Sequence, residues 1–252
     1  MFLSGIILLL ALSFFVVYAN SDVEISYYGY TLKKNKDLCI DFFNNETKKP
    51  TLKPKKVKPI IKIDTTSQRF LIIGDSQVEG LRDPLYDYCK KNGHEIALAL
   101  TWYSSTDMTY ASNDTLKNMV KEYKPTHILF VIGLNQIYQS NFDASEKSID
   151  SIVSSFNGIP YSWIGPANWT EDKGINKLYE ENIDRDCFFS SKKLVLDRAK
   201  DGRHPSYKAN FVWMDSIAKW MEKKSKWHIK MAKPDSLEKK RFVNSKMYTV
   251  GK

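Results

Sequence analysis

The sequence predicts an α/β domain, a three-layer α/β/α sandwich around a central parallel sheet. Two observations predict it. Short apolar runs that stop at a glycine, Phe70–Ile73 before Gly74 and His127–Ile132 before Gly133, have the pattern of buried strands. Longer stretches of helical character separate these runs, and strands alternating with helices imply a parallel sheet covered on both faces.

The elements follow in order from Phe70. The first strand, 70–73, leads to a helix over 80–92 that Asn92-Gly93 stops. Ile96–Leu100 is the second strand and 113–123 the next helix. His127–Ile132 is the third strand, followed by a helix over 143–156. Pro160–Ile164 is the fourth, followed by a helix over 173–183 and a short strand near Cys187–Phe189. Pro205, suited to a first helical turn, opens a last helix reaching about Lys223.

At 252 residues the chain has room for one sizeable core with flanking segments, and 42% apolar with 13% aromatic residues is a globular composition. The flanks read differently. Residues 1–19 (MFLSGIILLLALSFFVVYA) are an almost unbroken apolar run, either a signal peptide cut before Asn20 or an uncleaved anchor in contact with a membrane. Lys33, Lys34 and Lys36 behind it would favour a cytoplasmic side, but an N-terminal apolar run ahead of a globular domain favours export, periplasmic or extracellular. Residues 20–67 form an extension whose stretch 48–62 alternates Lys and Pro, an extended spacer that cannot make a core. Residues 68–223 make the main folded domain and 224–252 a basic tail, expected to pack poorly.

The net charge of +9 is not a nucleic-acid signature once it is mapped. Residues 48–62 carry seven Lys and no acid, and 219–252 carry eleven Lys or Arg against three acids, so these flanks hold +15 and the remainder −6. A nucleic-acid binder would carry its basic stripe on the folded face. Cys39, Cys89 and Cys187 allow one disulfide and a leftover thiol in an oxidising compartment, with the pairing open. The histidines His94, His127, His204 and His228 show no metal-ligand spacing, so no metal or other cofactor is expected.

Ligand sites in such sheets lie beyond the carboxyl ends of the strands. There the chain reads Gly74-Asp75-Ser76-Gln77, then Gly133-Leu134-Asn135-Gln136, and before the last helix Asp201-Gly202-Arg203-His204-Pro205. These supply a hydroxyl, an amide and a carboxylate–imidazole pair. A serine hydroxyl is a weak nucleophile until a base takes its proton; imidazole suits that task, and an acid three residues earlier can orient the ring.

In these blocks, over residues 68–223, the chain resembles the SGNH hydrolase superfamily, also called the GDSL family. Gly74-Asp75-Ser76 matches its first block, Gly133-Leu134-Asn135 its third, with Gln136 in place of the final Asp, and Asp201-Gly202-Arg203-His204 its last. The second block normally supplies a glycine; here Ser104 aligns with it, with Ser105 the alternative. The resemblance implies a flavodoxin-like sandwich and a triad of Ser76, His204 and Asp201, with an oxyanion hole from the N–H groups of Ser76 and Ser104 and the side-chain amide of Asn135. It implies a serine esterase cleaving an O-acyl, most naturally O-acetyl, ester on an envelope or extracellular carbohydrate. An acyltransferase using the same triad and a glycan-binding protein on the same fold are the alternatives. Asp75 is read as bracing its loop. Trp102, Trp163 and Trp169, near strand ends, are candidates for stacking on a sugar face.

Overall fold

The computed structural model describes residues 62–236 and 243–250, together with 6–7, 13–14, 17–18, 21, 23–27 and 30–32. The cleavage point at Asn20, the lysines at 33, 34 and 36, Cys39 and the Lys/Pro stretch up to residue 61 lie outside the described residues. The chain divides into two units, 1–59 and 60–252. In the first, β1 (Ser26–Tyr27) and β2 (Tyr30–Thr31) pair as an antiparallel hairpin. The Tyr18 hydroxyl donates to the Leu32 carbonyl (2.9 Å) and accepts from the Ile25 N–H (3.1 Å). Among the described residues no helix is long and apolar enough to cross a membrane.

The second unit is an α/β sandwich with helices on both faces of a six-stranded parallel sheet. Its strands are β3 (Arg69–Gly74), β4 (Glu95–Tyr103), β5 (His127–Val131), β6 (Tyr161–Ile164), β7 (Phe188–Phe189) and β8 (Ser245–Thr249), in the order β7-β6-β5-β3-β4-β8. Without β8 this is the flavodoxin-type order, in which the connection after β3 runs to one side and that after β5 to the other. The crevice therefore opens between the ends of β3 and β5. The helices are α1 (Gln77–Asn92), α2 (Asp107–Ala111), α3 (Thr115–Tyr123), α4 (Asp143–Ser155), α5 (Ile175–Asn182) and α6 (Tyr207–Lys223).

Burial on both faces explains the unbroken apolar runs. Phe70 and Ile72 pack against α1 and α6, while Leu71 and Ile73 pack into the other layer with Leu116, Ile149 and Ile152. Gly93 closes α1 in the left-handed conformation (φ 73°), as its stop signal predicts. Cys89 and Cys187 are buried, free of any disulfide, and belong to the opposite layers.

Three details depart from the sequence reading. Pro205 lies before the last helix, not inside its first turn: Ser206 is the cap, its Oγ accepting the Ala209 N–H at 3.2 Å. The short helix α2 has no apolar periodicity to betray it; Thr106 and Thr109 cap it reciprocally through side chain and backbone. The described parts of the basic tail, 224–236 and 243–250, are packed. Ile229 and Met231 are buried in the α1/α6 layer, and Ile229 pairs with Asp64 through the bonds Asp64 N–H to His228 O and Lys230 N–H to Asp64 O, both 2.8 Å. His94 Nε2 reaches the Lys230 carbonyl (2.8 Å), and Asn92 bonds both backbone groups of Ala232. Further on, β8 docks on β4, with Tyr248 meeting Trp102 edge-on at 5.6 Å. Net charge misleads here because the lysine heads stay in water while a few apolar residues between them do the packing.

Ile229→Ala tests this packing. Loss of a fully buried isoleucine should cost about 2–5 kcal/mol, read as a lowered urea midpoint; an unchanged midpoint would mean that the tail contributes nothing.

Candidate active site

Ser76 stands at the amino end of α1, directly after β3. The chain there can run close to β5 only because residue 74 is glycine: a Cβ on Gly74 would fall 1.7 Å from the Val131 carbonyl oxygen. Asp75 next to it is fully buried and accepts three backbone N–H groups, from Gln77 at 2.9 Å, Gly133 at 3.1 Å and Leu134 at 3.0 Å. Its carboxyl ties the Ser76 loop to the Asn135 loop. Burial pushes its pKa up to about 6, against those three N–H donors and the nearby His204. Asp75 braces the crevice, as the sequence reading has it.

The Ser76 hydroxyl lies 2.7 Å from His204 Nε2, and His204 Nδ1 lies 2.6 Å from Asp201 Oδ2. Asp201 Oδ1 accepts the backbone N–H groups of Arg203 (2.9 Å) and His204 (3.0 Å). The His204 hydrogen bond is the largest cause holding the Asp201 carboxyl down at about 2, with the backbone donors next. An ionised Asp201 can only accept, so Nδ1 carries the ring proton and Nε2 is left to accept from Ser76. The loop itself is pinned: the Ala199 N–H donates to the His204 carbonyl (2.9 Å) and the Ser206 N–H to Asp197 O (2.7 Å). Arg198 Nη1 reaches the carbonyls of Arg203 and Ala167, both at 3.2 Å, joining this loop to the end of β6. The block at 76 and the block at 201–204, more than a hundred residues apart, therefore meet in one hydrogen-bonded chain.

A cleft of about 540 Å³ opens over this chain, lined by Ser76, Ser104 and Asn135 among others. Between the two second-block candidates, the geometry favours Ser104. Ser105 is buried and its N–H is spent on the Trp102 carbonyl (3.2 Å), whereas Ser104 is exposed in the cleft with φ 62°. That left-handed conformation is one glycine takes without strain, which is why a glycine suits the position. Asn135 donates one Nδ2 hydrogen to the Ser105 carbonyl at 2.9 Å, leaving its second N–H available.

The three tryptophans part company. Trp163 is fully buried against Phe130 and Tyr179, so it is core and not a sugar platform. Central strand ends in a sheet covered on both faces are buried, which overrides proximity to the site. Trp102 packs edge-on against Tyr110 and Tyr248 and does not line the cleft. Trp169 is half-buried beside the histidine loop, with the Arg203 guanidinium 5.3 Å from its ring and Tyr138 edge-on at 5.6 Å.

The sequence reading also missed a buried polar network. Gln136 Nε2 donates to Asp107 Oδ1 (3.0 Å) and Ser145 Oγ (2.8 Å), and the Tyr179 hydroxyl donates to Asp107 Oδ2 (3.0 Å). Gln136 stands where the resemblance expects Asp, and Asp107 brings a carboxylate to it from α2. Burial raises the Asp107 pKa, against these donors. Across the cleft, the Tyr103 hydroxyl donates to Glu79 Oε2 at 2.7 Å. No motif announces either pair.

No family model and no curated protein matches the chain. Among solved structures it is similar to a carbohydrate acetylesterase family member from Sinorhizobium meliloti, with TM-score 0.47 and 16% identity over 61% of this chain and 98% of that one.

Two outcomes check the site's electrostatics. Asp75→Asn turns one accepting oxygen into a buried NH₂ facing an N–H, and should cost about 1–3 kcal/mol in denaturant titration. A midpoint equal to wild type would show that the brace is dispensable. The Asp201 carboxyl, followed by carbon NMR, should titrate at about 2 and move up toward its ordinary 3.8 in His204→Ala. Because its folded pKa is depressed, its stabilising contribution is full above about pH 4 and fades as pH falls toward 2. A midpoint unmoved by His204→Ala would break the pair.

Proposed function

We propose that this chain is a serine esterase that hydrolyses a short O-acyl ester, acetyl foremost, on a carbohydrate. The observation that carries the reading is the Ser76–His204–Asp201 chain, with hydrogen bonds of 2.7 and 2.6 Å, opening into a cleft. His204 takes the hydroxyl proton as Ser76 Oγ attacks the ester carbonyl, then delivers it to the departing sugar oxygen, leaving an acyl group on Ser76. Water, losing a proton to His204, attacks that acyl group; the proton returns to Ser76 as the acid leaves. The N–H groups of Ser76 and Ser104 and the second N–H of Asn135 hold the oxyanion, and the amino end of α1 adds a favourable dipole.

The cleft lining supports the substrate class. Gln77, Glu79, Tyr103 and Asn210 surround the nucleophile, and no aliphatic side chain besides Pro205 lines the cleft. A small acyl group with a polyhydroxylated partner finds hydrogen-bonding groups there, Glu79 and the Tyr103 hydroxyl among them, beside the ring faces of Tyr103 and Pro205. The His204 side chain is 36% exposed, which favours water over a sugar hydroxyl as the second acceptor. The apolar run at 1–19 supports a location outside the cytoplasm, with an envelope or extracellular glycan as substrate.

An aryl acetate, supplied with and without a sugar acceptor, separates hydrolysis from transfer: acetate alone is expected, and an acetylated sugar would make the protein a transferase. Ser76→Ala and His204→Ala should each remove several orders of magnitude of turnover, without adding when combined. Asn135→Ala should lower kcat by about 10²–10³ with little change in KM. Full turnover in Ser76→Ala would overturn the reading.

A further inference from the structure

Ser76 and His204 belong to segments that lead into two helices packed side by side in one layer, α1 and α6. Four residues past Ser76 stands Gly80, inside α1, and six past His204 stands Asn210, in the first turn of α6. A Cβ built on Gly80 would lie 2.6 Å from Asn210 Oδ1, 2.7 Å from Nδ2 and 2.8 Å from Cγ. The Asn210 amide therefore occupies the very space that any other residue at 80 would need. Glycine is a poor choice inside a helix, so its presence at a point of contact marks an approach that the helix alone does not require.

Asn210 is tied to the histidine loop as well. Its Nδ2 donates to the Pro205 carbonyl at 3.4 Å, and its backbone N–H to Ser206 O at 3.0 Å. Its Oδ1 is buried with no hydrogen-bond partner among the described residues. A polar atom buried without a partner is a cost, so this oxygen is not held there for a hydrogen bond. What the amide does is fill the gap between Gly80 and the turn that carries His204.

We propose that Gly80 and Asn210 are positioning residues, a spacer that sets the separation of Ser76 Oγ and His204 Nε2. A methyl group at position 80 pushes the amide, and with it the Pro205 turn, away from α1. The His204 ring then withdraws from the Ser76 hydroxyl although neither side chain has changed. The inference rests on the esterase reading for its kinetic effect, but its geometric effect stands apart from turnover.

The test is a double-mutant cycle of Gly80→Ala and Asn210→Ala. In the native background Gly80→Ala should lower kcat on an aryl acetate by on the order of 10²-fold, the scale of an ångström's misplacement, with KM unchanged. In the Asn210→Ala background, where the clashing atoms are gone, the same substitution should change kcat by no more than about threefold, because coupling is expected only between residues in contact. Equal losses in both backgrounds, or full activity in Gly80→Ala, would overturn the spacer. So would an unfolded Gly80→Ala that Asn210→Ala restores to the folded state, since the contact would then be a packing requirement only. The His204 ring nitrogen shifts, recorded by NMR in all four proteins, should show the Ser76 hydrogen bond weakened by Gly80→Ala in the native background, and no further change when Gly80→Ala is added to Asn210→Ala. Should the wild type turn over no ester while those shifts follow the cycle, the esterase reading fails and the spacer stands.

Discussion

Everything in the crevice depends on one buried carboxylate. Asp75 is cut off from water and answers three backbone N–H groups, one from the start of α1 and two from the loop after β5. Two strand ends on either side of the sheet's switch point would otherwise be free to splay, because the connections that follow them run in opposite directions. By accepting from both, Asp75 fixes Ser76 relative to the amide of Asn135. That burial has a cost, since it pushes the Asp75 carboxyl up to about 6 even with those donors in place. The bare backbone of Gly74 completes the arrangement by letting β3 come against the Val131 carbonyl.

Around this brace the chain departs in two places from the sequence pattern it resembles, and the structure gives each a physical counterpart. Ser104 adopts the left-handed conformation without being glycine. Such a residue costs on the order of 1 kcal/mol and persists only where its surroundings hold it. Its neighbours do hold it: Trp102 and Tyr103 just before it are registered on β8, and the Val250 N–H reaches the Tyr103 carbonyl at 3.3 Å. Gln136 replaces a carboxylate with an amide, and Asp107 restores the missing charge from a different element, within hydrogen-bonding distance of the same amide. The fold accommodates the exchange because what the third loop needs is a satisfied buried network, not a particular residue at one position.

The sheet was legible because burial on both faces leaves an unambiguous mark, the unbroken runs at 70–73 and 127–132. The residues of the candidate site were legible because they sit one or two positions beyond those runs, where topology directs attention. What escaped was of another kind. Residues 245–249 form an edge strand that alternates exposed and half-buried side chains among lysine, serine and threonine, so no apolar run announces it. Ile229 and Met231 are single apolar residues in a basic stretch, and only their partners, distant in sequence, reveal their role. Trp163 was misplaced by the reverse error: nearness to a strand end was taken for nearness to solvent, whereas the β6 end it occupies is sealed by Phe130, Tyr179 and Phe188. The contact of Gly80 with Asn210 leaves no trace in sequence, since a helical glycine has many causes.

The two halves of the site are built to different standards. Asp75 is fully buried, and Ser76, half-exposed in the cleft, follows it directly at the end of a strand packed on both faces. His204 and Asp201 ride on a loop, their side chains 36% and 48% exposed, and are held mainly by backbone hydrogen bonds to residues 197–199 and by Arg198. An exposed ion pair alone is worth little, because water competes for both partners. The Asp201–His204 pair escapes that weakness by being short-range in sequence: three residues separate its members, and Asp201 also closes the turn through the Arg203 and His204 N–H groups. The turn thus orders the carboxylate before the imidazole meets it, so that an exposed pair keeps its geometry without help from a distant element.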